Sequence, residues 1–550
     1  MSALPVPTCG SQFEAESLSK LGSFAKIRVG LVVPSTDAPR WVAHLVQQIA
    51  SSTYADLVLV AIDSSHDGRG NAQGSLSFRL WNKFDAVLND RPDDAFSLCD
   101  LKTLIKNVPA IQLPAEHDEI PEPLRSAQLD VLLAIDGSAA RERMKDWAKY
   151  GVWFLSGNRS HRDSPSNSLK AAWQGCEVAA TTLEVVDAQG RVETIRRSYS
   201  ATNEISPYLG DTTDAWKSAD MVLRALRDVH CFGWEHVRNC SSKKLPFASL
   251  QSRNSSGIRF LVRWFDKTAR YKLNHTLRKE HWFVAYRKND GKIPLSAAEM
   301  RGFRVIVPPA DRFYADPFLF ERNGRHYLFF EDYRYELKRG LIACLELNDD
   351  GRPGEPEVIL DLPYHLSYPT IIEYQGERFL IVESAANRTV EMYRAQDFPR
   401  RWTLEKVLLK DVPAIDPTIF EHEGRTWLFV GGMVDRGSTN DELFLYSAEN
   451  LFGDWVPHPR NPVVSDVRRA RPAGQVFVHD GELIRPSQDC SIRYGRAVVF
   501  NRIDTLSATE YLETPIGRIA PEWYPHNLGT HTFNQTERFQ VVDGRVLAFR

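Results

Sequence analysis

The sequence lacks a long hydrophobic run. Its longest apolar stretches are of the size of residues 29–33 and 57–62, far shorter than the roughly 18–20 residues that a helix needs to cross a bilayer. The first twenty residues also lack a basic segment followed by an apolar one, which is the pattern of a secretory signal. We therefore expect a cytoplasmic protein with no membrane-spanning helix.

Closely spaced cysteine pairs are also missing. The seven cysteines are scattered over 550 residues without Cys-x-x-Cys spacing, which indicates the reduced, structural thiols of a cytoplasmic protein. The net charge of −3 argues against nucleic acid as a partner, because neutralising phosphates requires a clearly cationic surface. We predict no cofactor and no metal.

The first part of the chain contains an α/β pattern. Short apolar runs of the buried-strand type alternate with helical spacing of apolar residues. The strands are predicted at residues 27–34, 55–62, 129–135 and 151–155, and the helices at 41–50 and 139–149. This alternation is typical of a parallel sheet covered by helices. The predicted domain runs from residue 26 to about 230, after a disordered segment at 1–25.

The order of these parts, continued through residues 171–187, resembles the N-terminal domain of the methionyl-tRNA formyltransferase family. The resemblance implies a formyltransferase-like fold, but that family's Asn-x-His pair is absent from the expected place after the strand at 151–155. Asn158, His161 and Asp187 remain as displaced substitutes for formyl chemistry or as simple turn formers. The domain is therefore predicted to be a degenerate relative.

Residues 231–280 are predicted to connect two domains. Residues 232–257 are polar and rich in Ser, Asn and Lys, as linkers are. Residues 258–273 alternate basic and aromatic side chains. Such a helix could lie peripherally on an anionic membrane surface, or it could bury its apolar stripe between the domains.

What the second half of the sequence does contain is a repeat. Each unit consists of X-Pro, a short strand, a turn with Gly and a second strand rich in aromatic and β-branched residues. The units begin at Asp316-Pro317, Tyr368-Pro369, Asp416-Pro417, Arg471-Pro472 and near His531, the last two being the weakest. Successive prolines are 52, 48 and 55 residues apart, close to the length of one four-stranded propeller blade. We predict an all-β five-bladed propeller at 281–550, with a strand at 281–287 closing the ring against the C-terminal segment.

The two Asp-Pro units resemble the five-bladed propellers of glycoside hydrolase family 43. The resemblance implies that Asp316 is the general base and that Asp416 holds the substrate and tunes the acid. Inner strands converge, so carboxylates from different blades can couple their pKa values; an inverting pair would stand roughly 6.5–9.5 Å apart. Where the family has its acid, this chain has Arg471. The substitute acids left open are Glu383, His365 and His531.

The pattern from residue 313 to residue 534 also resembles the propeller domain of plant glucosamine inositolphosphorylceramide transferases. In that family the propeller accompanies a glycosyltransferase domain, and no such domain is visible in this chain. The resemblance implies handling of a sugar or glycolipid at the cytoplasmic face of a membrane, with a nucleotide sugar left open as a further partner.

These observations predict a site and several functions. The predicted catalytic residues are Asp316, Asp416 and Glu383, and the predicted substrate-binding residues are Arg471, Gln475, His365, Tyr368, Glu331, Asp332 and His531. The preferred function is glycosyl transfer from a phosphate-activated donor in cell-envelope polysaccharide or glycolipid assembly, with Arg471 meeting the phosphate. The alternatives are an inverting glycosidase, a non-catalytic glycan-binding scaffold and a formyltransferase acting on an amino sugar.

Overall fold

The structure is a computed structural model with two compact units. It describes residues 25–64, 76–89, 94–113, 120–135, 143–156, 166–241, 257–348, 350–433 and 436–549. Among these residues the first unit runs to Thr268 and also includes 436–437, and the second, which is the propeller, consists of 269–433 and 438–549. None of the described helices is long and apolar enough to cross a membrane.

The first unit is built on a seven-stranded sheet, which confirms the predicted α/β fold. Among the described residues its strands are β1 (Ile27–Val33), β2 (Asp37–Pro39), β3 (Ala55–Ile62), β4 (Leu98–Asp100), β5 (Ala110–Gln112), β6 (Val131–Ala134), β7 (Val152–Ser156), β8 (Val178–Val186) and β9 (Val192–Ala201). The sheet order is β5-β3-β1-β6-β7-β8-β9, and β2 pairs separately with β4. The five strands from β5 to β7 are parallel. Strand β8 runs antiparallel to β7, and β9, which a tight hairpin joins to β8, runs antiparallel to β8.

Helices cover the sheet. The described helices are α1 (Arg40–Ser51), α2 (Leu76–Leu88), α3 (Glu122–Ser126), α4 (Asn167–Gln174), α5 (Pro207–Phe232), α6 (Trp234–Ser241) and α7 (Gly257–Leu277). The α5 helix begins where the Ser206 hydroxyl accepts a hydrogen bond from the Leu209 amide, the usual N-cap arrangement. The helix predicted at 139–149 lies partly outside the described residues, and residues 144–150 form turns instead.

The region predicted as a linker is partly core. Trp234 of α6 stacks near Tyr150 and Trp153, at ring centroid distances of 5.4 and 5.9 Å, and Val237 is fully buried. These apolar contacts hold α6 in the α/β unit, so the predicted boundary at residue 230 falls too early. Residues 242–256 of the predicted linker, and 1–24 of the predicted disordered N-terminus, lie outside the described residues.

The second unit is the predicted five-bladed propeller. In chain order β10 (Arg278–Lys288) and β11 (Arg304–Ile306) come first. Blade I consists of β12 (Arg312–Arg322), β13 (Arg325–Arg334), β14 (Arg339–Leu347) and β15 (Glu357–Leu360), and blade II consists of β16 (Ser367–Tyr374), β17 (Glu377–Ser384), β18 (Thr389–Asp397) and β19 (Arg401–Lys410). Blade III consists of β20 (Ile415–His422), β21 (Arg425–Gly432), β22 (Glu442–Ala448) and β23 (Val456–Pro457), with β24 (Val464–Ser465) beside β22, and blade IV consists of β25 (Phe477–His479), β26 (Glu482–Asp489), β27 (Ala497–Leu506) and β28 (Tyr511–Ile519). Blade V joins β29 (Phe533–Gln535) and β30 (Phe539–Phe549) to β10 and β11. The ring therefore closes through the strand predicted to close it.

The Gly turns of the repeat have one backbone geometry. Each is a two-residue hairpin loop in which both residues have positive φ, as type I′ turns require. The loops are Asn323-Gly324, Gln375-Gly376, Glu423-Gly424 and Asp480-Gly481. The repeat that the sequence shows is thus a repeated hairpin.

The fifth unit departs from the prediction. The repeat predicts strand, Gly turn and strand after His531, which would place the turn at Asp543-Gly544, but β30 runs unbroken through both residues. A Cβ on Gly544 would come within 2.3 Å of the Phe283 ring. The glycine therefore makes room for an aromatic side chain of the paired strand β10, and the hairpin turn lies earlier, at 536–538.

Candidate functional site

The X-Pro units place one side chain of each of three blades in a special backbone position. Asp316, Tyr368 and Asp416 have φ values of 50°, 52° and 49°, and the register of β12, β16 and β20 shifts at each of them. A non-glycine residue in the left-handed region is strained, and bulges of this kind redirect side chains, often at functional sites. Each of the three side chains contacts a residue of another blade.

Five carboxylates and two cations meet where the blades converge. We call this group the central cluster: Asp316 and Glu331 of blade I, Glu383 of blade II, Asp416 of blade III, Arg471 before blade IV, and His531 and Asp543 of blade V. Counting Asp543, it holds five carboxylates, and every acidic member is buried. The cluster unites residues more than 200 positions apart in the chain, since Asp316 contacts both Thr532 and His531.

The burial of these carboxylates changes their acidity. Burial raises the pKa of Asp316 to about 6, the nearby His531 opposes the rise, and the carboxylates of Asp416 and Asp543 add to it. Burial also raises the pKa of Glu331 and of Glu383 well above the usual range, and neighbouring carboxylates reinforce both shifts. Two glutamic acids thus favour the protonated form beside an aspartate that ionises near neutral pH.

Asp416 is the anchored carboxylate of the group. Its Oδ2 accepts hydrogen bonds from Arg471 Nε at 2.6 Å and from Gln488 Nε2 at 2.8 Å. Its backbone amide donates to Glu383 Oε2 at 2.8 Å. The guanidinium of Arg471 also lies 4.6 Å from the ring centroid of Tyr494. Arg471 therefore compensates the charge of Asp416, and its Nε is not available to the phosphate predicted from the sequence.

His531 links two carboxylates. Its ring stacks on Trp282 at a centroid distance of 4.0 Å. Its Nδ1 lies 2.5 Å from Asp543 Oδ2, and its Nε2 lies 3.5 Å from Asp316 Oδ1. Burial by itself would lower the pKa of His531, but Asp543 and Asp316 outweigh it and raise the pKa. His531 is thus the buried cation next to the predicted base.

Asp543 is a site residue that the sequence analysis missed. Its Oδ1 accepts the backbone amides of His531 and Thr532 at 2.7 and 3.1 Å, and its Oδ2 accepts the amide of Asp316 at 3.3 Å. The Asp-Gly pair was interpreted as a turn. The available signal was strand alternation, since an aspartate between apolar residues of one long strand must face a polar partner.

Asp316, His531 and Asp543 also have the composition of a cation site. One ligand atom of each lies within 4.8 Å of the others. A cation there would have to displace the proton that the two carboxylates hold on His531, because a metal ligand must be deprotonated. The prediction of no metal stays a prediction.

Two further predicted residues join the cluster. The Tyr368 hydroxyl accepts the Gly474 amide at 2.5 Å and contacts Thr418 Oγ1 at 3.0 Å. His365 accepts the Gly340 amide at Nδ1, and its Nε2 lies 3.6 Å from Glu331 Oε1. Burial lowers the pKa of His365. A neutral His365 therefore presents an N–H to Glu331.

Other predicted residues lie elsewhere. Asp332 follows Glu331 in a strand, so its side chain points to the opposite face, where it pairs with Arg312 and Arg334 at 3.3 and 3.2 Å. Gln475 contributes a backbone contact, its amide donating to Asn534 Oδ1 at 2.7 Å. Asp332 therefore lies outside the central cluster, because successive side chains of a strand point to opposite faces of the sheet.

Tyr314 and Trp523, aromatic residues of the kind that can stack on a sugar ring, belong to the core. Tyr314 is buried against Phe330, with ring centroids 4.7 Å apart. Trp523 packs on Phe283 and donates from its indole nitrogen to Thr530. Both residues therefore stabilise blades rather than line the cluster.

In the α/β unit, Asp187 forms a turn. Its Oδ1 accepts the backbone amides of Gln189 and Arg191 at 2.9 Å each, and its carboxylate pairs with the Arg191 side chain. These contacts satisfy it locally, as in an Asx turn. The other two candidates for formyl chemistry, Asn158 and His161, lie outside the described residues.

Most of the propeller matches a known family. Residues 305–539 match the family described as glucosamine inositolphosphorylceramide transferase 1, N-terminal. The relative of that name from Arabidopsis thaliana is 38% identical over 208 residues, which is 37% of this chain and 27% of the relative. The relative from Oryza sativa subsp. japonica is 36% identical over 208 residues, 37% of this chain and 28% of the relative.

These matches confirm the resemblance stated for the propeller. The chain spans little more than a quarter of the length of these relatives. The family match lies outside the α/β unit, so the formyltransferase resemblance of that unit stays a prediction.

Several solved structures align with part of this chain. A GH43 beta-xylosidase/alpha-arabinofuranosidase from a compost microbial metagenome is 14% identical, with a TM-score of 0.33, covering 48% of this chain and 94% of that one. The catalytic domain of Coprinopsis cinerea GH62 alpha-L-arabinofuranosidase is 13% identical, with a TM-score of 0.33, covering 43% and 93%. A likeness of this size says nothing about the reaction of this chain.

Proposed function

We propose that the central cluster binds a sugar and catalyses glycosyl transfer to a lipid-linked acceptor. The observation that carries this proposal is the pair of buried carboxyl groups with different acidities. Asp316, with a pKa raised to about 6, suits a general base, and Glu383, with a pKa raised well above the usual range, suits a general acid. Environments that separate the pKa values of two carboxyl groups assign them opposite roles in proton transfer.

The hydrogen bonds assign atoms to these roles. Thr532 and His531 both contact Oδ1 of Asp316, so Oδ2 is the oxygen assigned to take the proton of the acceptor hydroxyl. Glu383 Oε2 accepts the Asp416 amide, so Oε1 is assigned to deliver a proton to the leaving oxygen. Glu383 thereby takes the role for which the sequence offered no residue before blade IV.

The donor and acceptor are further parts of the proposal. The name of the relatives includes inositolphosphorylceramide, which supports an acceptor that joins a phosphorylated sugar alcohol to a lipid. A phosphate-activated donor, such as a nucleotide sugar, remains our prediction for cell-envelope or glycolipid assembly. Its phosphate would meet the Nη atoms of Arg471, whose contacts to Asn440, Asp416 and Tyr494 are long, at 3.3, 3.5 and 3.5 Å. The cytoplasmic location and the peripheral membrane contact through 258–273 also stay predictions.

The test is mass spectrometry of envelope lipids and polysaccharides from a deletion strain complemented with variants. The deletion strain should lack the glycan that this protein forms. We expect Asp316→Asn and Glu383→Gln each to slow the formation of that glycan about 10²–10⁴-fold relative to wild type, the usual range for loss of a general acid or base. Asp332→Asn is the matched control, because this carboxylate is buried in the same blade and faces away from the cluster. Full restoration by Asp316→Asn would overturn the proposal.

The alternatives predict different results in assays of their own. An inverting glycosidase, which the acid and base pair also suits, would release free sugar from model glycosides. A non-catalytic scaffold would bind glycan and retain binding without turnover after either substitution. A formyltransferase would need folate-dependent formylation of an amino sugar, and Asp187, tied up in its turn, gives that reading no support.

A further inference from the structure

Helix α2 of the α/β unit carries its apolar side chains outward. Leu80, Phe84, Val87 and Leu88 lie on one face and are exposed, with fractions from 49% to 73%. This set follows the i, i+4, i+7 spacing of a single helical stripe. Lys83 lies at the edge of the stripe and is also exposed.

The inner face of α2 is held by hydrogen bonds as well as by apolar packing. Asp85 is buried and accepts hydrogen bonds from Ser206 Oγ at 2.7 Å and from the Tyr208 amide at 2.9 Å. It also accepts the Asn89 side chain at 2.8 Å. These bonds fix the rotation of the helix, so the apolar stripe cannot turn inward without breaking them.

Helix α7 presents a second exposed apolar stripe. Its inner residues Phe260 and Trp264 contact Trp81 of α2, with ring centroids 5.2 and 4.7 Å apart. The neighbouring positions Leu261 and Phe265 are exposed, Phe265 by 69%. The sequence analysis left open whether this helix buries its apolar stripe, and the structure divides the answer. One aromatic side is buried against α2, and the next side faces outward.

The charge of α7 is strongly positive. Among its 21 residues it has five basic side chains and one acidic one. At 100° per residue, Arg259 and Arg270 follow directly on the apolar stripe, and Lys272 falls within it. Both arginines are exposed, as is Lys272.

We propose that α2 and the first half of α7 form a docking surface for an anionic lipid bilayer. Exposed apolar side chains bordered by Lys and Arg are the composition with which helices bind the interface of anionic membranes. A protein partner would meet the same apolar side chains, but nothing in a neutral protein surface would match the basic border. The surface lies on the α/β unit, and the inference does not depend on the chemistry of the central cluster.

The test is co-sedimentation of the full chain with lipid vesicles. We expect binding to vesicles of phosphatidylcholine with phosphatidylserine and weaker binding to phosphatidylcholine alone. The triple variant L80S/F84S/V87S should lower the partition coefficient at least about tenfold, because it removes apolar area that the bilayer would bury. The double variant K83E/R259E should weaken binding to the anionic vesicles selectively and should reduce its dependence on salt.

The control is V192S/V307S/V478S, which replaces three exposed valines outside the surface. It should bind vesicles as wild type does, and thermal unfolding should be the same for all variants. Equal binding by wild type and L80S/F84S/V87S, or no binding by wild type, would overturn the proposal. So would a concentration-dependent dimer in sedimentation velocity that only L80S/F84S/V87S dissociates, because the stripe would then be an interface between two copies. Asp316→Asn should bind vesicles as wild type does, so failure here is distinguishable from failure of the proposed reaction.

Discussion

At the scale of single residues, the central cluster shows that the residues next to a side chain in the sequence say little about its role. Asp316 and Asp416 were found from the repeat, since the same residue type precedes proline in two blades. Asp543 was not found, because its partners His531 and Asp316 reach it only through the closed ring. Site residues that recur in several blades can be predicted from the repeat, whereas a site residue that occurs in a single blade cannot.

A pH prediction follows from Asp316. Its pKa is about 6 in the fold and about 3.9 in an unfolded chain. Between these values the native state binds more protons, so this group makes the free energy of unfolding fall as pH rises. The loss is complete above the folded pKa and amounts to about 3 kcal/mol.

Asp316→Asn removes this contribution. We therefore expect the stability of the variant relative to wild type, measured as the difference in their free energies of unfolding, to increase as pH rises from about 4 to about 7. Chemical denaturation at a series of pH values measures this difference. The control is Asp504→Asn, because Asp504 of β27 is exposed and pairs with Arg502. Parallel curves for wild type and Asp316→Asn would contradict the raised pKa.

At the scale of elements, local sequence fixed the hairpins, and packing fixed the exceptions. The loops Asn323-Gly324 and Asp480-Gly481 have the turn residues that type I′ hairpins require, and both turns form where predicted. Asp543-Gly544 has the same composition but sits inside a strand. The Phe283 ring on the neighbouring strand decides the difference, since it occupies the space beside the glycine.

The second prediction concerns Gly544. Gly544→Ala should destabilise the propeller by about 1–3 kcal/mol, because the added Cβ overlaps the Phe283 ring and overpacking of a core has this cost. Phe283→Leu in the same chain should recover part of the loss. Denaturant unfolding of the two single variants and the double variant measures the coupling. Additive effects of the two substitutions would show that the contact does not decide the residue.

At the scale of the whole molecule, ring closure determines both stability and site. Strand β10 pairs with β30 at every position from Arg278 with Phe549 to Lys288 with Phe539. Blade V thus joins segments from the two ends of the propeller, and it also supplies His531 and Asp543 to the cluster. Without closure, the edges of β10 and β29 would be unpaired, and the base would lose its buried cation.

The third prediction tests this closure. A chain ending at residue 538 should lose cooperative unfolding of the propeller and should aggregate, because an unpaired strand edge recruits other chains. A chain ending at residue 547, which removes only the last two paired positions, should remain soluble. Circular dichroism and light scattering distinguish the two. Cooperative unfolding of the shorter chain would show that blade V can close without β30.

The sequence by itself determined the class of each unit, the number of blades and the two aspartates of the repeat, because hydrophobic period, turn residues and repeat spacing are local properties of the chain. Only the tertiary structure decided which carboxyl groups lie close enough to shift one another's pKa, that Arg471 forms an ion pair with Asp416, and that Asp332 points away from the central cluster. It also decided that α2 turns its apolar side outward, because the buried bonds of Asp85 come from residues far along the chain. Burial and long-range contact set pKa values and side-chain direction, and neither quantity exists until the chain has folded.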